Sequence, residues 1–244
     1  MKVIAHRGAS GEYPENTLLA FAEAIKQKAD GIELDIQYHH ANSFVVLHDN
    51  YLEKTTNGQG LINDYTLMDL QKLDAGQGQF IPTLAQALKL INGDCLVNIE
   101  IKTSFTDKHY LLKIINLLQR NIEHAIEFHN FSLSQFIVSS FNHTLLAELK
   151  ILFPTLATAA LVASCPVNYA QCAQQLKAIG FNPSIAILNQ QLVDDAHRRG
   201  LKVWVYTVDK EEALAKCFFY GVDGVFTNYP KKTKFYLQQL QNIE

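Results

Sequence analysis

Short β-rich runs alternate with amphipathic stretches of helical period along nearly the whole chain, and this alternation leaves few architectures open. The strand candidates cover residues 3–8, 31–37, 44–48, 96–102, 136–141, 155–162, 184–188, 202–208 and 224–227. Between the first two, Leu18, Phe21, Ala22, Ile25 and Ala29 share one helical face. Thr83 stands as an N-cap before Leu84, Ala87, Leu88 and Ile91. Further helices are expected over 108–120, 144–153, 169–179, 190–199, 210–220 and 232–242. Gly180, Gly200 and Gly221 follow three of them and suit left-handed C-terminal caps. Strands separated by helices pair in parallel, but one gap breaks the rule. From Gln37 to Phe44 there is no room for a parallel crossover, which needs about a dozen residues. Residues 44–48 therefore return antiparallel to 31–37 as a hairpin. A turn near Ala41 and Asn42 would set Asp35 roughly opposite His48. Eight strands remain, the number that closes a (β/α)8 TIM barrel. The chain has 244 residues, close to the ~250 typical of that α/β fold. One domain over 1–244 is expected, with the less regular stretch of approximately 50–80 as a small insertion on its top.

Composition narrows the function. Hydrophobic residues make up 48% of the chain, enough for a sizeable core, and the net charge of -3 gives no strong field for nucleic acid. The basic run at Lys231, Lys232 and Lys234 reads as a solvated helix face. Cys95, Cys165, Cys172 and Cys217 lack metal-site spacing and read as free thiols of a reducing compartment. A first strand beginning at Lys2 or Val3 leaves no room for a signal peptide, and no apolar run reaches 18 residues, so a cytoplasmic enzyme with no membrane span is expected.

The chemistry gathers at strand ends. Glu33 and Asp35 are two apart on one strand and share a face, opposite Leu34 and Ile36. Glu100 and Lys102 repeat the arrangement. Carboxylates crowded in a barrel mouth do not ionise together without a cation, and oxygen-only ligands suit one hard divalent ion, Mg2+ or Ca2+. His6 and His48 each end a strand and titrate near neutrality, so they are the candidate acid and base. Asp49 either orients a ring or fixes a turn. Arg7 offers a fork to a phosphate and Lys102 a point charge. Asn16 is either a further substrate contact or the N-cap of the first helix, and Phe141 and Tyr206, with Tyr13, are candidate pocket walls.

Taken in order, His6-Arg7-Gly8, Pro14-Glu15-Asn16-Thr17, Glu33-Leu34-Asp35, His48-Asp49, Thr55-Thr56-Asn57-Gly58, Pro82-Thr83-Leu84, Asn98-Ile99-Glu100-Ile101-Lys102 and the closing Gly221 to Pro230 segment resemble the glycerophosphodiester phosphodiesterase family almost end to end. The compact size resembles its cytoplasmic bacterial branch. The resemblance implies a barrel with an insertion after the early hairpin. It implies hydrolysis of glycerophosphodiesters, such as glycerophosphocholine and glycerophosphoethanolamine, to sn-glycerol 3-phosphate and an alcohol. It maps metal positions to Glu33, Asp35 and Glu100, acid and base to His6 and His48, and phosphate contacts to Arg7 and Lys102. Four residues depart from the family pattern: Tyr206, Asp209, Asn228 and Lys54. Tyr206-Thr207-Val208-Asp209 stands where Trp-Thr-Val-Asn is usual, Thr227-Asn228-Tyr229-Pro230 where Thr-Asp-Tyr-Pro is usual, and Lys54 where an arginine is common. Trp204 should share a face with Tyr206, deeper in the barrel. Two alternatives remain at this level. One is a phospholipase for lysophospholipids or phosphoinositides on the same barrel, which the polar loop Thr55 to Gly60 disfavours; the other is a non-catalytic binder. Oligomeric state stays open.

Overall fold

The computed structural model describes residues 1–242. The strands are β1 (Lys2–His6), β2 (Gly31–His39), β3 (Ser43–Val46), β4 (Leu96–Ile101), β5 (Phe136–Ser140), β6 (Ala157–Val162), β7 (Gly180–Pro183), β8 (Lys202–Val205) and β9 (Gly224–Thr227). All but β3 run parallel, and β1 pairs with both β2 and β9, which closes an eight-stranded barrel. The helices are α1 (Leu18–Lys26), α2 (Leu67–Leu70), α3 (Leu84–Ile91), α4 (Lys108–Phe128), α5 (His143–Leu152), α6 (Gln171–Gln175), α7 (Gln190–Arg198), α8 (Glu211–Phe219) and α9 (Pro230–Gln241). The expected α/β TIM barrel is the fold observed.

Strand alternation sorts the side chains into two layers. Ile32, Leu34 and Ile36 of β2 point outward and pack with Phe21, Leu84 and Leu88 of the covering helices. Burying each such side chain contributes roughly 1.5–3 kcal/mol. Inside the barrel, Ile4, Ile137, Ala159, Trp204 and Phe226 form an apolar plug, with Tyr206 packed against it. Trp204 thus lies deeper than Tyr206, as alternation required. The polar residues of β1, β2 and β4 sit at the strands' C-terminal ends above this plug, where barrels of this kind carry their chemistry.

Three local expectations are corrected. In the hairpin Ile36 pairs with Val46, and the Leu47 amide donates to the Asp35 carbonyl at 3.0 Å. Leu47, not His48, therefore faces Asp35. β3 ends at Val46, so His48 is freed from strand alternation. The seventh barrel strand is 180–183 rather than 184–188. Ser184-Ile185-Ala186-Ile187 has strand composition, but the Ser184 hydroxyl accepts from the Ala186 amide at 3.3 Å and nucleates a 3-10 turn. Gly180 consequently lies inside a strand, packed on Ala159, and not in a cap. The left-handed position after shortened α6 falls to Lys177 (φ 52°), whereas Gly200 and Gly221 do cap their helices at φ 74° and 72°.

Residues 50–80 carry two 3-10 turns and α2. Their Leu52, Ile62 and Leu70 join Val45, Leu47 and Ile81 in a small apolar cluster of their own. Among the described residues no helix is long and apolar enough to cross a membrane.

Candidate active site

β1 ends at His6, and the chain then turns through Arg7 (φ 58°) and Gly8 (φ 82°). Gly8 has no substitute here: a Cβ on it would lie 2.6 Å from the Ala20 carbonyl carbon. The turn aims the Arg7 amide at Glu33 Oε2, 2.9 Å away. It brings the Arg7 guanidinium to Asp35 (Nε to Oδ2, 3.1 Å) and Glu15 (Nη1 to Oε1, 2.9 Å). Asn16 also has a left-handed backbone (φ 58°) and is 2% exposed. Its Nδ2 donates to Asp35 Oδ2 at 2.9 Å and its Oδ1 accepts from the Asp35 amide at 3.2 Å. The N-cap of α1 is Thr17, whose hydroxyl accepts from the Ala20 amide. Non-glycine residues held at positive φ cost on the order of 1–3 kcal/mol each, and two of them, Arg7 and Asn16, meet at the Asp35 carboxylate.

Asp35 and Glu100 are register partners on neighbouring strands, and Glu33 is two residues back on the same face. One oxygen from each of the three buried carboxylates lies within 4.8 Å of the others. Lys102 reaches over them, pairing with Glu100 and with Asp35 Oδ1 at 3.1 Å. Burial and the Asp35 and Glu100 charges push Glu33 well above the ordinary carboxylate range. Burial, with Asp35 next, lifts Glu100 to about 7. Burial would raise Asp35 too, but Lys102 and Arg7 outweigh it and hold the group down. Glu33 Oε1 is buried and has no hydrogen-bond partner. An orphaned carboxylate oxygen facing two more carboxylates fits an oxygen-ligated divalent cation.

The histidines flank this cluster. His6 Nδ1 lies 2.8 Å from Asn228 Oδ1. Burial, helped by the Arg7 cation, lowers His6 to about 4. His48 is half-buried, with Nδ1 3.4 Å from Asp49 Oδ1, and burial lowers it against the pull of Asp35. Asp49 is in turn held by Lys54 at 2.8 Å. The backbone that carries His48 is fastened by Gln37, whose Nε2 lies 2.9, 3.2 and 2.8 Å from the carbonyl oxygens of Leu47, His48 and Asp49 and shares its two N–H donors among them.

Phe141 and Tyr206 stand edge to face, 5.9 Å between centroids, and Lys102 Nζ is 5.9 Å from the Phe141 ring. The Tyr206 hydroxyl donates to the Val162 carbonyl at 3.0 Å. Beside the carboxylates opens a cavity of about 520 Å³ lined by His48, Glu100, Lys102, Tyr38, Phe105 and Phe141, among others.

The expected histidines, carboxylates, Arg7, Lys102, Asn16, Phe141 and Tyr206 therefore gather at one end of the barrel or on its rim, whereas Tyr13 packs against the outer apolar cluster and does not line this cavity. Four residues not singled out for the site also belong to this network: Glu15, Gln37, Asp209 and Asn228. Glu15 lies in a motif that carries the family resemblance, and Asp209 and Asn228 stand out as departures from it; Gln37 carried no signal.

Residues 6–232 match the Glycerophosphoryl diester phosphodiesterase family. A glycerophosphodiester phosphodiesterase of Caldanaerobacter subterraneus subsp. tengcongensis is 37% identical over 94% of this chain and 94% of its own. One of Bacillus subtilis is 36% identical over 93% of this chain and 83% of its own. Among solved structures, an Oleispira antarctica phosphodiesterase in complex with the product sn-glycerol-3-phosphate superposes with a TM-score of 0.88 at 30% identity, covering 98% of this chain and 97% of that one.

Proposed function

The chain belongs to the glycerophosphoryl diester phosphodiesterase family and is a phosphodiesterase of that class, and from this premise we propose that it hydrolyses glycerophosphodiesters such as glycerophosphocholine and glycerophosphoethanolamine to sn-glycerol 3-phosphate and the free alcohol, with one divalent cation, Mg2+ or Ca2+, and two histidines. The observation that carries the reading is the trio of buried carboxylates with an unpartnered Glu33 oxygen, set between two histidines and two cationic side chains.

Glu33, Asp35 and Glu100 would hold the cation. When bound, it supplies positive charge to a phosphate oxygen and to the glycerol hydroxyls. The charge count supports this. With all three carboxyls ionised, as a bound cation requires, they outweigh Arg7 and Lys102 by one negative charge. A divalent ion turns that to one positive, matching a singly charged phosphodiester. Arg7 and Lys102 then carry part of the charge that grows on the phosphoryl oxygens. One histidine accepts the proton of the nucleophile, either water or the glycerol 2-hydroxyl, and the other donates to the departing alkoxide. Asn16, with both amide atoms engaged by Asp35, orients that carboxylate instead of touching phosphate. Phe141 and Tyr206 form an apolar wall, and the adjoining cavity takes the alcohol.

The test is release of glycerol 3-phosphate from glycerophosphocholine after chelation, then with Mg2+ or Ca2+ restored. Activity should return with a cation and be lost in His6→Ala and Glu33→Ala. No release with either ion would overturn the reading. A second reading, cleavage of lysophospholipids, is favoured by apolar exposure at the rim: Phe105 is 60%, Phe141 48% and Leu61 40% exposed. Turnover of lysophosphatidylcholine without turnover of glycerophosphocholine would put it first.

A further inference from the structure

Asp209 and Asn228 are far apart in sequence, yet they form one hydrogen-bonded unit behind His6. The Asp209 carboxylate can only accept. Its Oδ1 receives the Asn228 amide N–H at 2.8 Å and the Thr227 hydroxyl at 3.1 Å, and its Oδ2 receives Asn228 Nδ2 at 2.7 Å. The side-chain NH2 of Asn228 must therefore face Asp209. Its Oδ1 must then face the barrel mouth, where it lies 2.8 Å from Ser10 Oγ and 2.8 Å from His6 Nδ1. An amide oxygen can only accept, so the proton on this bond belongs to His6 Nδ1. In a neutral imidazole the other nitrogen, Nε2, is then bare. Nε2 makes no hydrogen bond among the described residues.

We infer that Asp209 and Asn228 are positioning residues that lock His6 in its Nδ1–H tautomer and so make His6 the proton acceptor, leaving the donor role to His48. The inference rests on the reading of His6 as a reacting group. In the reaction His6 Nε2 takes one proton from the nucleophile while Nδ1–H stays on Asn228. The ring becomes cationic, with the Asp209 carboxylate one side chain away behind the neutral amide. Two of the departures from the family pattern, Asp209 and Asn228, thus meet in a single contact. The side chain that touches His6 in this chain is an uncharged acceptor.

The experiment combines 15N spectroscopy of the His6 ring with steady-state kinetics. Wild-type His6 should show a protonated Nδ1 and a bare Nε2. Asp209→Asn removes the group that dictates which way Asn228 faces, so mixed tautomers should appear. A positioned acid or base is worth ~10²–10⁴-fold, so kcat should fall at least ~10-fold while KM changes little. The double variant D209N/N228D restores an acceptor-only group against Nδ1, and it should recover both the tautomer and kcat. A protonated Nε2 in the wild type would overturn the inference. So would a double variant that melts like wild type yet is no more active than Asp209→Asn alone. The spectra do not depend on turnover. A wild-type Nδ1–H ring in a protein that cleaves no glycerophosphodiester would therefore overturn the functional reading, not the tautomer.

Discussion

At the scale of single residues, the site trades stability for a place to bind a cation. Glu100 is raised from the ordinary value of 4.5 to about 7, and Glu33 is raised as well. A carboxyl raised on folding stabilises the folded state only while it is protonated there. The metal-free protein should therefore lose stability as pH rises from about 4.5 towards 7. A cation must displace the same protons, so its stabilisation should grow across that window. At a hundredfold excess over Kd a ligand adds about 2.7 kcal/mol. We expect the rise in Tm on adding Mg2+ or Ca2+ to be larger at pH 8 than at pH 5. An equal rise at both would show that these carboxylates are not the ligands.

At the scale of elements, one device acts locally and another across the hairpin. The capping box before α3 pairs the Thr83 hydroxyl with the Gln86 amide and the Gln86 side chain with the Thr83 amide. Thr83→Ala should cost about 0.5–2 kcal/mol in urea denaturation and leave kcat unchanged. Gln37 acts differently. It lies on β2 two residues beyond Asp35 and holds three carbonyls of the segment that carries His48. Gln37→Leu should leave the barrel folded, because β2 keeps its backbone ladder. It should let His48 drift, and a misplacement of about 1 Å can cost up to ~10²-fold in rate. Circular dichroism matched to wild type with an unchanged kcat would refute this role. Only one of the two devices is legible in the sequence. The cap is a local pattern, so Thr83 could be read directly; Gln37 acts across the hairpin and carries no local signature.

At the scale of the whole molecule, the barrel closes through β1 against β9, and the segment 50–80 rests its small apolar cluster on β3 and the strand's exit. So few buried side chains cannot sustain an independent fold. We expect calorimetry to show a single cooperative transition. A separate early transition, with the barrel's strand content retained, would make that segment a unit of its own.

The sequence by itself determined the barrel and its metal-type carboxylates. Strand alternation and the two-residue spacing of Glu33 and Asp35 are short-range properties, and parallel pairing carries them directly into the β2–β4 register beside Glu100. It did not determine the seventh strand, where composition favoured 184–188 but 180–183 is the run in register with β6. Nor did it determine what stands behind each histidine. His48 leaves its strand before alternation can aim it, and Gln37 sets its path. His6 is backed by Asn228, 222 residues away, and by Asp209 beyond it. Such contacts exist only once β1, β8 and β9 lie side by side in the closed barrel, because hydrogen-bond partners are chosen by distance in space.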